Sequence, residues 1–195
     1  MSTATLPARI GCEKLLTVAD LASFPRTLPS GDVLYELDDG KLVIMAPPGD
    51  SHSRRQFKIL QYLGNLGEDR GYGEARGDVA IVLRRDPDRV VSPDAAFILK
   101  SSLPVKLSND GYLETIPELV VEIRSKNDLH PAITTKNEEY FDAGVKLVWL
   151  IDPDVHAVTA LQRGMDGQVF QELDTLTCPL IPGFAVPVAN LFTGS

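Results

Sequence analysis

Two carboxylates in strand-like surroundings are the residues of this chain best placed to do chemistry. Glu122 lies in Ile116-Pro117-Glu118-Leu119-Val120-Val121-Glu122-Ile123-Arg124-Ser125, a run of alternating β-formers that begins at a proline. Strand alternation puts Leu119, Val121 and Ile123 on one side and Glu118, Val120, Glu122 and Arg124 on the other. A carboxylate in the middle of such a strand loses hydration that a partner or a metal must replace. The alternative is an ion pair on an exposed face, made with Arg124 or across strands. Asp94 stands 28 residues earlier, and the interval is mostly loop, so two neighbouring strands can bring Asp94 and Glu122 to one sheet edge. Two hard carboxylates with open positions suit Mg²⁺, which keeps several waters and takes few protein ligands. Such an ion can activate a water and stabilise charge on a phosphodiester.

The elements that must position these residues can be read in order. Residues 1–16 are expected to be a loose tail and 17–195 a single domain. Thr17 can cap a short helix, Val18 to Phe24, ended by Pro25. Two β-rich runs flank Asp38-Asp39-Gly40 and predict a hairpin with Glu36 in its first strand. Phe57, Leu60, Leu63 and Leu66 recur at helical spacing within 51–66, with His52, Arg54, Arg55, Gln56 and Lys58 crowding the first two turns. Tyr72 to Arg84 reads as two strands or one bent strand. Val90 to Leu99 reads as another, with Pro93 marking a strand start or edge. After the Glu122 strand, Pro131 can open a helix that Gly144 stops, with Lys136 and Tyr140 four apart on one face. The apolar run Leu147 to Ile151 fits a central strand. Asp152-Pro153-Asp154 then turns the chain into a C-terminal meander.

Composition narrows the function classes. The hydrophobic fraction is 44% and the charged fraction 24%, as in a globular domain. A net charge of −8 argues against coating nucleic acid by bulk electrostatics, and against anionic membrane, while leaving room for a local basic groove. No apolar run approaches a membrane span. Met1 to Leu15 lacks the apolar core of a secretory signal. Cys12 and Cys178 lie far apart, which fits a reduced, cytoplasmic setting. The Arg54-Arg55 run, and Arg84-Arg85 with Arg89, read either as solvated faces or as phosphate contacts.

The joint order of several motifs resembles a known family. They are Tyr35-Glu36-Leu37 with Asp39-Gly40-Lys41-Leu42, Pro47-Pro48, His52, Pro93-Asp94, Pro117 to Glu122, Ser125, Lys136 with Tyr140, Gly144-Val145, Val148 to Pro153, and Pro182-Gly183-Phe184. Over roughly residues 17–192 the chain is similar to the Uma-type family of restriction-endonuclease-like proteins, within the PD-(D/E)XK nuclease superfamily. The resemblance implies an α/β (α+β) fold. A restriction-endonuclease-like mixed β-sheet core would be flanked by helices and extended by an N-terminal β-hairpin and C-terminal β-strands. It implies a Mg²⁺- or Mn²⁺-dependent nuclease acting on nucleic acid, DNA first, with Asp94 and Glu122 holding the ion. The superfamily motif has lysine where this chain has Arg124, which stays protonated and can stabilise a phosphate but not act as a base. Lys136, or failing that Lys126, is the expected substitute, with Glu36, His52 and Tyr140 as further members of the site. A homodimer is expected, since enzymes cutting both strands pair two copies of one site. The competing expectation is a non-catalytic module on the same fold that binds nucleic acid or protein.

Overall fold

The computed structural model describes residues 14–25, 27–28, 31–45, 48–104, 112–125 and 130–193. The chain opens with α1 (Val18–Leu21), capped by Thr17 in a reciprocal box with Asp20, and ends it at Leu21 rather than at Phe24. Next come a two-residue pair, β1 (Thr27–Leu28) with β2 (Gly31–Asp32), and the expected hairpin, β3 (Leu34–Asp38) with β4 (Lys41–Met45). Asp39 and Gly40 both take positive φ at its turn, which is what a two-residue hairpin loop matching strand twist requires. Helix α2 (Asp50–Leu63) follows, and a π-helical turn over Gly64–Glu68 prolongs it.

The next segment alternates between two sheets. β5 (Gly73–Gly77) and β8 (Ala95–Leu99) belong to a six-stranded sheet, whereas β6 (Ile81–Arg84) and β7 (Arg89–Val91) join the hairpin in a four-stranded one. The run Val90 to Leu99 is therefore two strands and not one. Pro93 has no N–H to give to a ladder, and Ser92-Pro93-Asp94 becomes the passage between sheets.

β9 (Leu119–Ile123), α3 (His130–Ala143) and β10 (Leu147–Asp152) form a parallel crossover, with Leu119 opposite Leu147 and Glu122 opposite Leu150. β11 (Ala157–Leu161) and β12 (Gln168–Phe170) extend the sheet antiparallel, giving the order β12-β11-β10-β9-β8-β5. β13 (Thr175–Thr177) pairs with β14 (Ala185–Pro187) as a C-terminal addition.

The alternation read from the β9 sequence sorts the core. Leu119, Val121 and Ile123 pack with Phe97, Trp149, and Ile59 and Leu63 of α2. Val120, with Ala96 and Val148, packs on Tyr140, Phe141 and Val145 toward α3. A smaller third cluster joins α1 to the four-stranded sheet through Val18, Leu21, Tyr35, Leu37, Val82 and Val90. Trp149 is fully buried, tilted against Phe184 at 5.4 Å, with its indole nitrogen unbonded. Glu118 is buried as well: its carboxylate accepts from the Leu99 N–H at 2.9 Å and the Ser102 hydroxyl at 2.5 Å. Among the described residues no helix is long and apolar enough to cross a membrane.

Candidate active site

The break between β7 and β8 delivers Asp94 to the edge where β9 ends. In the antiparallel β8–β9 ladder Ala95 faces Val121 and Ala96 faces Val120. One step further along that register, Asp94 comes opposite Glu122, and directly opposed residues have Cβ atoms about 4.5–5.5 Å apart. Asp94 is held at three points. One carboxylate oxygen meets His52 Nε2 at 2.7 Å, the other accepts the Ile123 N–H at 2.6 Å, and the main-chain carbonyl accepts the Gln56 amide at 2.9 Å.

Glu122 is the centre of a second group, supplied by α3 and β3. Lys136 Nζ lies 2.9 Å from Glu122 Oε1 and 3.6 Å from Glu36 Oε1. The Tyr140 hydroxyl donates to Glu122 Oε1 at 2.5 Å. The Lys136 ammonium also sits 5.9 Å from the centre of the Tyr140 ring, so the helical i, i+4 pair closes on one carboxylate. Glu36 accepts the Ser92 N–H at 2.7 Å, which ties β3 to the passage carrying Asp94.

The electrostatics follow from this crowding. Burial raises the Glu122 pKa, and the Asp94 charge adds to it against the pull of Lys136. Burial alone would lower Lys136, but the charges of Glu122 and then Glu36 outweigh it and hold the amine above its ordinary value. Lys136 is therefore an ammonium at neutral pH, able to donate and to carry charge but not to accept a proton. Tyr140 is pushed well above the phenol range by burial and by Glu122, so it stays a donor. The Lys136 and Glu122 side chains remain 22% and 21% exposed, which leaves the group open to solvent on one side.

Other sequence candidates are placed elsewhere. The Arg124 guanidinium is gripped by Asp152 at 2.6 Å and Asp154 at 2.8 Å. Lys126 lies outside the described residues. Of the arginine runs, Arg54 is exposed beside the Phe57 ring and the others are engaged within the chain. Arg55 is buried and donates to the Ser51 carbonyl, Arg84 pairs with Asp39, Arg85 with Glu114, and Arg89 with Glu139 at 2.8 Å. Glu139, the residue beside Tyr140 on the helix, is thus taken by Arg89 and not by Lys136. Gln56 is the site residue that sequence reading passed over. It stands among the polar residues crowding the start of the helix, yet it turns inward with Ile59 and Leu63 and is buried.

The donor set fits a hard divalent cation. Asp94 and Glu122 offer carboxylate oxygens across the β8–β9 ladder, and Glu36 shares the Lys136 ammonium with Glu122. A trio of acids whose oxygens lie within 4.8 Å of one another occurs instead at Asp38, Asp39 and Glu139. Arg84 and Arg89 already pair with its three acids.

A search of curated proteins finds no match. Among solved structures, the chain is similar to the "putative nuclease belonging to DUF820 from Anabaena variabilis ATCC 29413". The TM-score is 0.74 at 21% identity, covering 91% of this chain and 97% of that one. That likeness establishes the fold, a mixed α+β arrangement of restriction-endonuclease type. Residues 21–189 match the family described as "Uma2: Putative restriction endonuclease". With that match spanning most of its length, and with Glu36, Asp94, Glu122 and Lys136 lying inside it, the chain belongs to the Uma2 family.

Proposed function

We propose that this chain is a divalent-metal-dependent phosphodiesterase, a DNA endonuclease in the first instance. The observation that carries the reading is Glu122, a carboxylate opposite Asp94 in register and bonded by Lys136 and Tyr140. Asp94 and Glu122, with Glu36 beside them, would hold Mg²⁺ or Mn²⁺. When bound, the ion supplies an activated water and charge neutralisation at the phosphate. The chain's own residues do the rest. His52 and the Ile123 N–H fix the Asp94 carboxylate, and Tyr140 fixes the rotamer of Glu122. Lys136 presents a fixed cation where negative charge develops on the phosphoryl oxygens, the kind of preorganised stabilisation that dominates such reactions. Arg124, held by two aspartates, is assigned to fastening the end of β9 to the turn after β10.

A second reading has its own observation. Arg84, Arg85 and Arg89, which would track a phosphate backbone, are paired with acids, and the chain carries a net charge of −8. This favours a fold that binds nucleic acid or protein without cutting it. Cleavage of supercoiled plasmid, single-stranded DNA and RNA with Mg²⁺ or Mn²⁺, by wild type and Asp94→Ala, separates the two. The enzyme reading expects nicking or linearisation in wild type and none in the variant. Equal traces in both would be contamination and end it. The proposal extends to a cytoplasmic homodimer paired through the β3–β4 hairpin, whose edge strand leaves Leu42, Val43 and Ile44 exposed.

A further inference from the structure

Helix α2 carries two residues four apart, His52 and Gln56, that both hold Asp94. His52 meets the carboxylate and Gln56 meets the carbonyl. The same Gln56 amide nitrogen donates to Asp78 Oδ1 at 2.7 Å. Asp78 and Asp94 mark the two short passages in which the chain crosses between the sheets without an intervening helix, β5 to β6 and β7 to β8. Asp78 takes a positive φ of 49°, a conformation that residues other than glycine adopt at a cost, and the Gln56 amide donates to its side chain in that bend. Pro93 leaves the other passage one donor short. Gln56 thus spans both passages from a buried position.

We infer that Gln56, anchored by Asp78, is a positioning residue that sets Asp94 for metal binding. The inference rests on the reading that Asp94 and Glu122 hold a divalent cation. The physical logic is that of outer-shell partners generally: a ligand whose main chain can shift by a fraction of an ångström loses its preorganised geometry. Removing such a partner commonly weakens metal binding by about 10- to 100-fold. Asp78 carries a charge as well as an acceptor, so its own substitutions must separate the two effects.

The test is Mn²⁺ calorimetry on the full chain, with circular dichroism and melting temperature recorded for every variant. Wild type should bind and Asp94→Ala should not. Gln56→Met, close in size and without polar atoms, should bind at least about tenfold more weakly with an unchanged spectrum. Asp78→Gly suits the positive φ but drops the anchor, and should weaken binding in the same direction. Asp78→Asn keeps an acceptor without the charge, and should restore wild-type affinity. Should Gln56→Met fail to fold, the two Asp78 variants decide the matter alone. Wild-type affinity in Gln56→Met, or equal weakening in Asp78→Asn and Asp78→Gly, would overturn the positioning role while leaving the metal site standing. Absence of Mn²⁺ binding by wild type would overturn the metal reading and this inference with it.

Discussion

At the scale of single residues, the Lys136–Glu122 contact divides the expected behaviours. An ammonium that stabilises developing charge contributes about 10²- to 10³-fold to rate. Lys136→Ala should therefore lose cleavage by that order while Mn²⁺ affinity does not fall, because the variant removes a cation from beside the ligands. Cleavage at the wild-type rate would withdraw the catalytic assignment of Lys136. A second residue gives a pH signature away from the site. Asp88 accepts the Val18 N–H at 2.7 Å and so fastens α1 to the four-stranded sheet. Burial pushes its carboxyl up, but the N–H groups of Val18 and Asp86, with Arg85, more than offset this and leave it below the ordinary value. A folded pKa below the unfolded one, near 3.9, contributes stability present above that value and lost as pH falls through the folded pKa. Asp88→Asn should cost about 1–3 kcal/mol near neutral pH. In urea titrations the gap from wild type should begin to narrow as pH falls below about 4, where the unfolded carboxyl protonates first. A gap that stays constant as the solution is acidified would mean that packing, not charge, is what the variant lost.

At the scale of elements, the π turn after α2 makes a sharp prediction. A Cβ on Gly67 would stand 2.6 Å from the Phe97 ring, which is fully buried. Gly67→Ala should destabilise by about 1–3 kcal/mol, the cost of overpacking, seen as a Tm lowered by several degrees. An unchanged Tm would show that the ring moves freely. The same scale shows what the sequence disclosed. The hairpin was legible because Asp39-Gly40 is turn chemistry. The two faces of β9 were legible because alternation sorts them whatever the tertiary context. Lys136 with Tyr140 was legible because helical spacing alone sets them side by side. The division of Val90 to Leu99 was not, since nothing local says that the strand on either side of Pro93 joins a different sheet. Arg124 pairs with Asp152 only because β9 and β10 run parallel in that register, Ile123 opposite Ile151. Gln56 escaped because periodicity tracks apolar positions and reads a polar one among them as solvent-facing.

At the scale of the whole molecule, the edge strand β4 carries the assembly prediction. Leu42, Val43 and Ile44 are exposed on a strand with one unpaired side, and Ile44 is 58% exposed. Light scattering should report twice the chain mass, and Ile44→Lys should return the monomer. A monomer in wild type at high concentration removes the claim. The chain also carries a spectroscopic asymmetry. Trp149 is its sole tryptophan, on β10 beside β9, and the cluster joining α1 to the four-stranded sheet has none. Emission from an indole with no hydrogen bond in an apolar setting is short in wavelength and moves to the red when water reaches it. Fluorescence during denaturation therefore follows the six-stranded sheet alone, while far-ultraviolet dichroism follows every sheet. Any interval between the two midpoints measures how tightly the passages at Asp78 and Asp94 bind the two sheets into one cooperative unit.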